Sequence, residues 1–135
     1  INKVDWKLRA KKSHETMKKN GTYATSKIEE KFYQFLTKHF RNVIRQKTVN
    51  GWNIDFYIPD IDSYIQFDGV YWHGLDRDIK QIALHQNPRD VIIESTYYRD
   101  QLQNSWFHLQ DIKLLRITDQ QFKDNAHDVT LELIL

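Results

Sequence analysis

The chain has 135 residues, of which 40% are hydrophobic and 13% aromatic, which is enough for one domain with a substantial core. No stretch approaches the roughly 20 apolar residues of a membrane-spanning helix, and the absence of cysteine excludes a disulfide scaffold, a thiolate metal site and a thiol nucleophile. This composition is compatible with a reducing cytoplasm, and a start at INKVDW without methionine is typical of a piece of a longer chain.

The first predicted element is a polar helix over WKLRAKKSHETMKKNG, which ends near Gly21. The net charge of the chain is +2, but seven basic residues against two acids give residues 1–20 a balance of +5, while thirteen basic residues against sixteen acids give the rest −3. A basic arm beside an acidic body suits a polyanion-binding extension, and a solvated helix face is its alternative. The basic residues of this arm are Lys3, Lys7, Arg9, Lys11, Lys12, Lys18 and Lys19.

An amphipathic helix follows over SKIEEKFYQFLTKHF, where Ser26 and Glu29 have the spacing of a capping box. Strands are predicted over residues 43–49, 52–58 and 64–67, because β-branched and aromatic residues recur between turn residues. Asn50-Gly51 is a strong hairpin turn between the first two of these strands.

The second half of the chain predicts helices over DIKQIALHQN and VIIESTYYRDQLQNSWFHLQ, which Pro88 separates. IKLLRIT is a short apolar strand, and AHDVTLELIL is a closing helix. The last strand arrives after a long helical crossover. The order of elements therefore predicts an α/β fold in which helices pack on a mixed sheet.

Polar residues stand at the ends of apolar segments in DFYIPDIDSYIQFDGVYWHG, residues 55–74. Asp55 lies in the second strand and Asp68 ends the third, so antiparallel pairing is expected to bring the two acids together. Glu29 is on the helix face predicted to meet the sheet, and His73 follows Asp68 by five residues. Clustered carboxylates are oxygen ligands that suit Mg²⁺, and a neutral histidine can accept a proton from a water that attacks phosphorus.

Three of these four residues also have a purely structural interpretation, and Asp55 is the exception. Glu29 can serve only as a capping-box partner, Asp68 before Gly69 can be a turn acid, and His73 can be a hydrogen-bonded core histidine. Asp55 is poorly explained in this way, because an acid flanked by apolar residues in a central strand needs a partner.

These segments resemble the very short patch repair (Vsr) endonucleases, a branch of the PD-(D/E)XK nucleases. The resemblance is carried by DFYIPDIDSYIQFDGVYWHG, by SKIEEKFYQFL and by YYRDQLQNSWFHLQDIKLLRIT, and it covers about residues 25 to 120. The arrangement is most similar to the EDxHD homing endonucleases that phage introns encode. The resemblance implies a PD-(D/E)XK fold, cleavage of double-stranded DNA and a cytoplasmic location in a bacterium or a phage-infected cell.

The resemblance also implies roles for single residues. Asp55 matches the metal-binding aspartate, Glu29 the glutamate that reaches the metal through water, and the backbone carbonyl of Phe67 a further metal ligand. His73 matches the general base, and Asp100 the acid of the Arg-Asp helix. The implied ion is Mg²⁺, for which Mn²⁺ can substitute.

Asp68 departs from the pattern, because Vsr enzymes have a histidine at its position and many PD-(D/E)XK nucleases a lysine. An anion in that place argues against a mechanism that needs a cation there, and it favours Asp68 as a catalytic metal ligand with a second ion or a tighter metal dependence. The cysteine-bound zinc of the family cannot form in a chain without cysteine.

The resemblance divides the chain into a DNA-binding extension or linker over residues 1–24 and a nuclease domain over residues 25–135. Lys7, Arg9, Lys11, Lys12, Lys18 and Lys19 are the predicted DNA contacts of the extension. Tyr71 and Trp72 either pack their loop or wedge between bases near the cut. A second copy of the chain or a DNA-binding domain outside this sequence is a further expected partner.

Three other functions stay open at this level. Mismatch repair and restriction-type nicking share the same catalytic core as homing. A catalytically silent DNA-binding relative would keep the basic arm, although the grouping of Glu29, Asp55 and His73 argues against it.

Overall fold

The computed structural model describes residues 26–124 and 127–135, and side chains from residue 27 to 124 and from 131 to 135. The polar helix predicted over residues 6–21 and the whole basic arm lie outside the described residues. The elements are the helices α1 (Ser26–His39), α2 (Ile79–Ile82), α3 (Asp90–Leu109), α4 (Asp119–Asp124) and α5 (His127–Ile134), and the strands β1 (Ile44–Val49), β2 (Trp52–Ile58), β3 (Ser63–Asp68) and β4 (Leu114–Thr118).

The four strands form one mixed sheet in the order β1-β2-β3-β4, as the sequence predicted for the fold class. Asn50 and Gly51 both have positive φ, 51° and 80°, which is the turn geometry that matches the twist of a two-residue hairpin. A single 3₁₀ turn, Pro59–Ile61, joins β2 to its antiparallel neighbour β3. Because β4 is parallel to β3, the chain has to cross over between them, and α3 makes this crossover.

The two faces of the sheet have different characters. Alternate residues of β3 point to opposite faces. Phe67 stacks on Phe32 of α1 with ring centroids 4.5 Å apart, and this face holds the main apolar core. Tyr64 meets Phe107 of α3 at 5.6 Å, so α3 covers the other face. The face under α3 carries Gln66 and Asp68 of β3 and Arg116 of β4, and it is there that the candidate site forms.

One predicted helix is too long, and one helix of the structure was not predicted. The helix expected over residues 78–87 forms only over Ile79–Ile82, because the chain turns at His85, whose φ is 54°. The helix α4 follows β4 directly and was not predicted, since six largely polar residues give little periodicity. No helix in the described ranges is both long and apolar enough to cross a membrane.

Candidate active site

The site begins where β2 and β3 separate. Their backbone pairing ends at Phe56 opposite Ile65, and side chains replace the ladder beyond that point. The Asp55 N–H donates to Gln66 Oε1 at 3.0 Å, and the Phe67 N–H donates to Asp55 Oδ2 at 2.8 Å. The half-buried carboxylate of Asp55 is therefore fixed beside the backbone of residue 67. This bond is the partner that an acid in a central strand requires.

The loop after β3 is held by its own backbone and by one glycine. The His73 N–H donates to the Gly69 carbonyl at 3.0 Å, which turns the chain back on itself. Gly74 has a φ of 68°, and a Cβ there would approach Ile82 Cδ1 to 3.1 Å and Ile93 Cγ2 to 3.2 Å. Glycine thus lets the loop lie directly against α2 and α3, with His73 directed under α3.

Three elements bring Asp68, His73 and Asp100 together: the end of β3, the loop and the middle of α3. One potential ligand atom from each lies within 4.8 Å of the others. His73 Nδ1 is 2.5 Å from Asp100 Oδ2 and 3.6 Å from Asp68 Oδ1. Among the described residues, Asp68, His73 and Asp100 form a group of acids and histidines that is compact enough to bind one metal ion together. Neither Asp55 nor Glu29 belongs to this group.

Arg116 of β4 joins the two acids of this cluster. Its Nη1 lies 3.0 Å and 3.2 Å from the two oxygens of Asp68 and 3.4 Å from Asp100 Oδ1. Its Nη2 donates to Gln103 Oε1 at 2.5 Å, and its Nε donates to Asn104 Oδ1 at 2.6 Å. The guanidinium therefore uses all three nitrogens, each toward a different side chain.

The charges around His73 set its protonation. Burial lowers the pKa of its imidazole, but the hydrogen bond to Asp100 and the negative charges of Asp68 and Asp100 outweigh burial, so the pKa is raised above its ordinary value. Burial alone would raise the pKa of Asp100. The hydrogen bond from His73 and the positive charges around it, including Arg116 and Arg99, hold that pKa below its usual range.

Glu29 lies apart from this cluster. It is buried in the first turn of α1, on the face of the sheet opposite to α3, and its carboxylate is 3.7 Å from Arg45 Nη2. Arg45 also donates to Glu30 at 2.8 Å and lies over the ring of Tyr33 at 4.3 Å. A capping box with Ser26 involves a side chain outside those described, so that interpretation stays a prediction.

The carboxylates of Asp55 and Asp68 differ in how well they are placed to bind a cation such as Mg²⁺. Asp55 is fixed beside the backbone N–H of Phe67, and its carboxylate is an oxygen donor of the type that suits Mg²⁺. Asp68 differs, because both of its oxygens accept from Arg116. A cation on Asp68 would have to compete with that ion pair.

The predicted DNA contacts are only partly described. The rings of Tyr71 and Trp72 meet edge to face at 5.1 Å, and both are half-buried. This geometry is compatible with packing of the loop, and their role as a wedge stays a prediction. The lysines and the arginine of the arm lie outside the described residues.

Sequence reasoning missed Arg116, although the strand itself contains a signal. In LLRIT the arginine is flanked by Leu115 and Ile117, of which Ile117 is buried in the main core. Alternation therefore turns Arg116 toward the other face of the sheet, and a charged residue under a helix needs a counter-ion. The identity of that partner depends on the parallel register of β3 and β4, which the sequence does not reveal.

The chain has the fold of a known nuclease domain. It is similar to the solved structure of the catalytic domain of homing endonuclease I-Bth0305I, with a TM-score of 0.51 and 21% sequence identity. The likeness covers 78% of this chain and 87% of the other, and at this identity it concerns the fold alone. No protein-family model matches the chain, and no curated protein does.

Proposed function

We propose that this chain is the catalytic domain of a Mg²⁺-dependent DNA endonuclease of the homing type, with a Vsr-like PD-(D/E)XK fold. The observation that carries the proposal is the pair His73 and Asp100, held at the end of β3 next to Asp68. A histidine oriented by a buried carboxylate is the arrangement expected of a general base. The fold shared with a homing endonuclease catalytic domain supports the same class of reaction.

His73 can act through one particular nitrogen. Its Nδ1 faces Asp100, so the neutral ring donates from Nδ1 to that carboxylate and keeps Nε2 as an acceptor. Nε2 would accept the proton of the water that attacks phosphorus. Asp100 fixes the ring orientation and the tautomer, and it stabilises the imidazolium that proton transfer creates.

Asp55 and the backbone carbonyl of Phe67 would hold the metal ion, and Glu29 would reach it through water. The support is the bond that fixes the Asp55 carboxylate beside residue 67. A bound Mg²⁺ supplies charge neutralisation at the phosphate and a lower pKa for water near it. Catalytic roles for the chain's own residues then divide into metal binding by Asp55 and proton transfer by His73.

DNA would be held mainly through its phosphates. The +5 balance of residues 1–20 would supply contacts that do not depend on base sequence, since phosphate contacts position a protein without specifying a site. Tyr71 and Trp72 would contact the bases near the cut.

Cleavage of supercoiled plasmid tests this function directly. We expect nicked or linear product with Mg²⁺ and none with EDTA, and we expect His73→Ala to lower the rate while its DNA binding persists. A wild-type protein that binds duplex DNA but never cuts it, across Mg²⁺ and Mn²⁺ concentrations, would identify a silent DNA-binding relative instead.

A further inference from the structure

Arg116 stands out because it contacts both acids that flank His73, although the proposed reaction assigns it no step. Its side chain is 18% exposed, and those of Asp68 and Asp100 are 4% and 8% exposed. Charges this well shielded from water are stable only when they are paired and hydrogen-bonded. Both carboxylates therefore lie within reach of one shielded positive charge.

Asp100 depends on nearby cations in a specific way. Its Oδ2 faces His73, whereas its Oδ1 makes no hydrogen bond to any described group. The guanidinium nitrogens closest to Oδ1 are Arg116 Nη1 at 3.4 Å and Arg99 Nη2 at 3.6 Å. The side chain of Arg99 is 38% exposed, so solvent weakens its share of the interaction. Arg116 is the better shielded counter-ion of this oxygen.

The geometry points to Arg116 as a positioning residue that fixes Asp68 and Asp100 on either side of His73, with Asp68 as its counter-anion rather than as a ligand of the metal. This inference rests on the proposed nuclease function. It removes the need for a second ion to balance Asp68, because the guanidinium already supplies one positive charge to that carboxylate.

Lysine cannot substitute fully at this position. The three nitrogens of Arg116 reach Asp68, Gln103 and Asn104 separately, and a single ammonium group cannot hold all three directions. Arg116→Lys would keep the positive charge and lose the simultaneous contacts of the guanidinium with Asp68, Gln103 and Asn104. Arg116→Gln would lose the charge and leave two buried acids beside one another.

The chain offers a matched control for loss of a buried ion pair. Arg77 binds Asp90, a buried acid, at 2.8 Å and 3.3 Å through two nitrogens, and neither residue contacts His73 in the described structure. Arg77→Gln therefore breaks a bidentate ion pair to a buried acid away from His73, although the side chain of Arg77 is 32% exposed and that of Arg116 is 18% exposed.

The experiment measures kcat, the KM for duplex DNA and the Mg²⁺ concentration at half-maximal rate, each corrected for the folded fraction. For Arg116→Gln we expect kcat to fall roughly 10- to 100-fold, the usual effect of removing a supporting partner, with little change in the other two quantities. The kcat of Arg116→Lys should lie between those of Arg116→Gln and the wild type, and Arg77→Gln should keep the wild-type kcat. The double variant Asp68→Asn with Arg116→Gln should cleave faster than Arg116→Gln, because the uncompensated acid is removed with its partner.

Two results would overturn the inference. One is an Arg116→Gln protein whose folded fraction has the wild-type kcat. The other is a pair of observations expected of a metal ligand at Asp68. Asp68→Asn would need a much higher Mg²⁺ concentration for its half-maximal rate, and the double variant would have no higher kcat than Arg116→Gln.

Failure of the proposed function is separable from failure of this inference. A wild-type protein that does not cleave DNA would overturn the proposed nuclease function. The imidazole NMR signals of the metal-free protein still test the position of Arg116. Arg116→Gln should shift the His73 ring signals, which are assigned by their loss in His73→Asn, while Arg77→Gln should not. An unshifted His73 signal in Arg116→Gln would show that Arg116 does not order the cluster.

Discussion

At the scale of single residues, the same acid can have a structural and a chemical role. Asp55 accepts the Phe67 N–H at 2.8 Å, which satisfies a backbone donor left over where β2 and β3 separate. The structural need for an acceptor does not require a negative charge, since an amide oxygen can also accept the hydrogen bond. The two roles of Asp55 can therefore be separated by substitution.

The pH dependence of cleavage should report His73. An unperturbed imidazole titrates near pH 6.5. Burial lowers the pKa of His73, but the Asp100 hydrogen bond and the charges of Asp68 and Asp100 raise it overall. A general base acts when neutral, so kcat/KM, which reports ionisation of the free protein, should rise with pH along a limb centred above the ordinary imidazole pKa.

His73→Ala provides the check on this assignment. The variant should lose that limb and cleave about 10²- to 10⁴-fold more slowly, the usual contribution of a general base. A variant that keeps the wild-type pH profile would show that another group accepts the proton.

At the scale of elements, two glycines allow a controlled comparison. Gly51 and Gly74 both have positive φ, but a Cβ on Gly51 meets nothing within 4 Å, whereas one on Gly74 would crowd Ile82 and Ile93. Alanine should destabilise either position by about 1–2 kcal/mol through its backbone. Gly74→Ala should lose more stability than Gly51→Ala, because its Cβ would also crowd Ile82 and Ile93.

Thermal unfolding and cleavage together test this comparison. We expect Gly74→Ala to have the lower Tm and a reduced kcat, because the displaced loop carries His73, while Gly51→Ala keeps its kcat. Equal Tm values for the two variants would show that the loop yields without strain.

Local signals explain which elements the sequence predicted well. The capping-box spacing and apolar period of α1, the Asn50-Gly51 turn and the apolar runs of β3 and β4 are properties of neighbouring residues. The polar α4 gave no such signal, and the helix predicted over residues 78–87 was too long because local spacing does not predict the positive φ of His85.

The site was less predictable than the fold, for a physical reason. His73 and Asp100 were both singled out by motif, and the structure places them in contact. The partnership of Arg116 with Asp68 joins residues 48 positions apart and depends on strand register. The bond of Asp55 depends on where two strands separate. Neither is encoded by local spacing.

At the scale of the whole molecule, charge is distributed unevenly along the chain. Residues 1–20 have a balance of +5 and the rest a balance of −3. Deleting residues 1–20 should weaken duplex binding and reduce the slope of log affinity against log salt by roughly two to five units, because each neutralised phosphate contributes about 0.9. The loss should be similar for unrelated DNA sequences.

Fluorescence anisotropy at several salt concentrations measures that slope. A variant of the intact 135-residue chain with Gln at Lys11, Lys12, Lys18 and Lys19 separates charge from chain length, and the loss of four charges should reduce the slope by up to about 3.6 units. An unchanged slope in both proteins would make the arm a solvated face without contact to DNA.

The most direct test of the central claim is plasmid cleavage by Asp55→Asn. The asparagine keeps an oxygen for the Phe67 N–H and loses the charge that would hold Mg²⁺. We predict a protein with the wild-type Tm that fails to cleave at any Mg²⁺ concentration, while Asp55→Ala loses both stability and cleavage. A folded Asp55→Asn protein that retains more than a few per cent of wild-type cleavage would contradict the account.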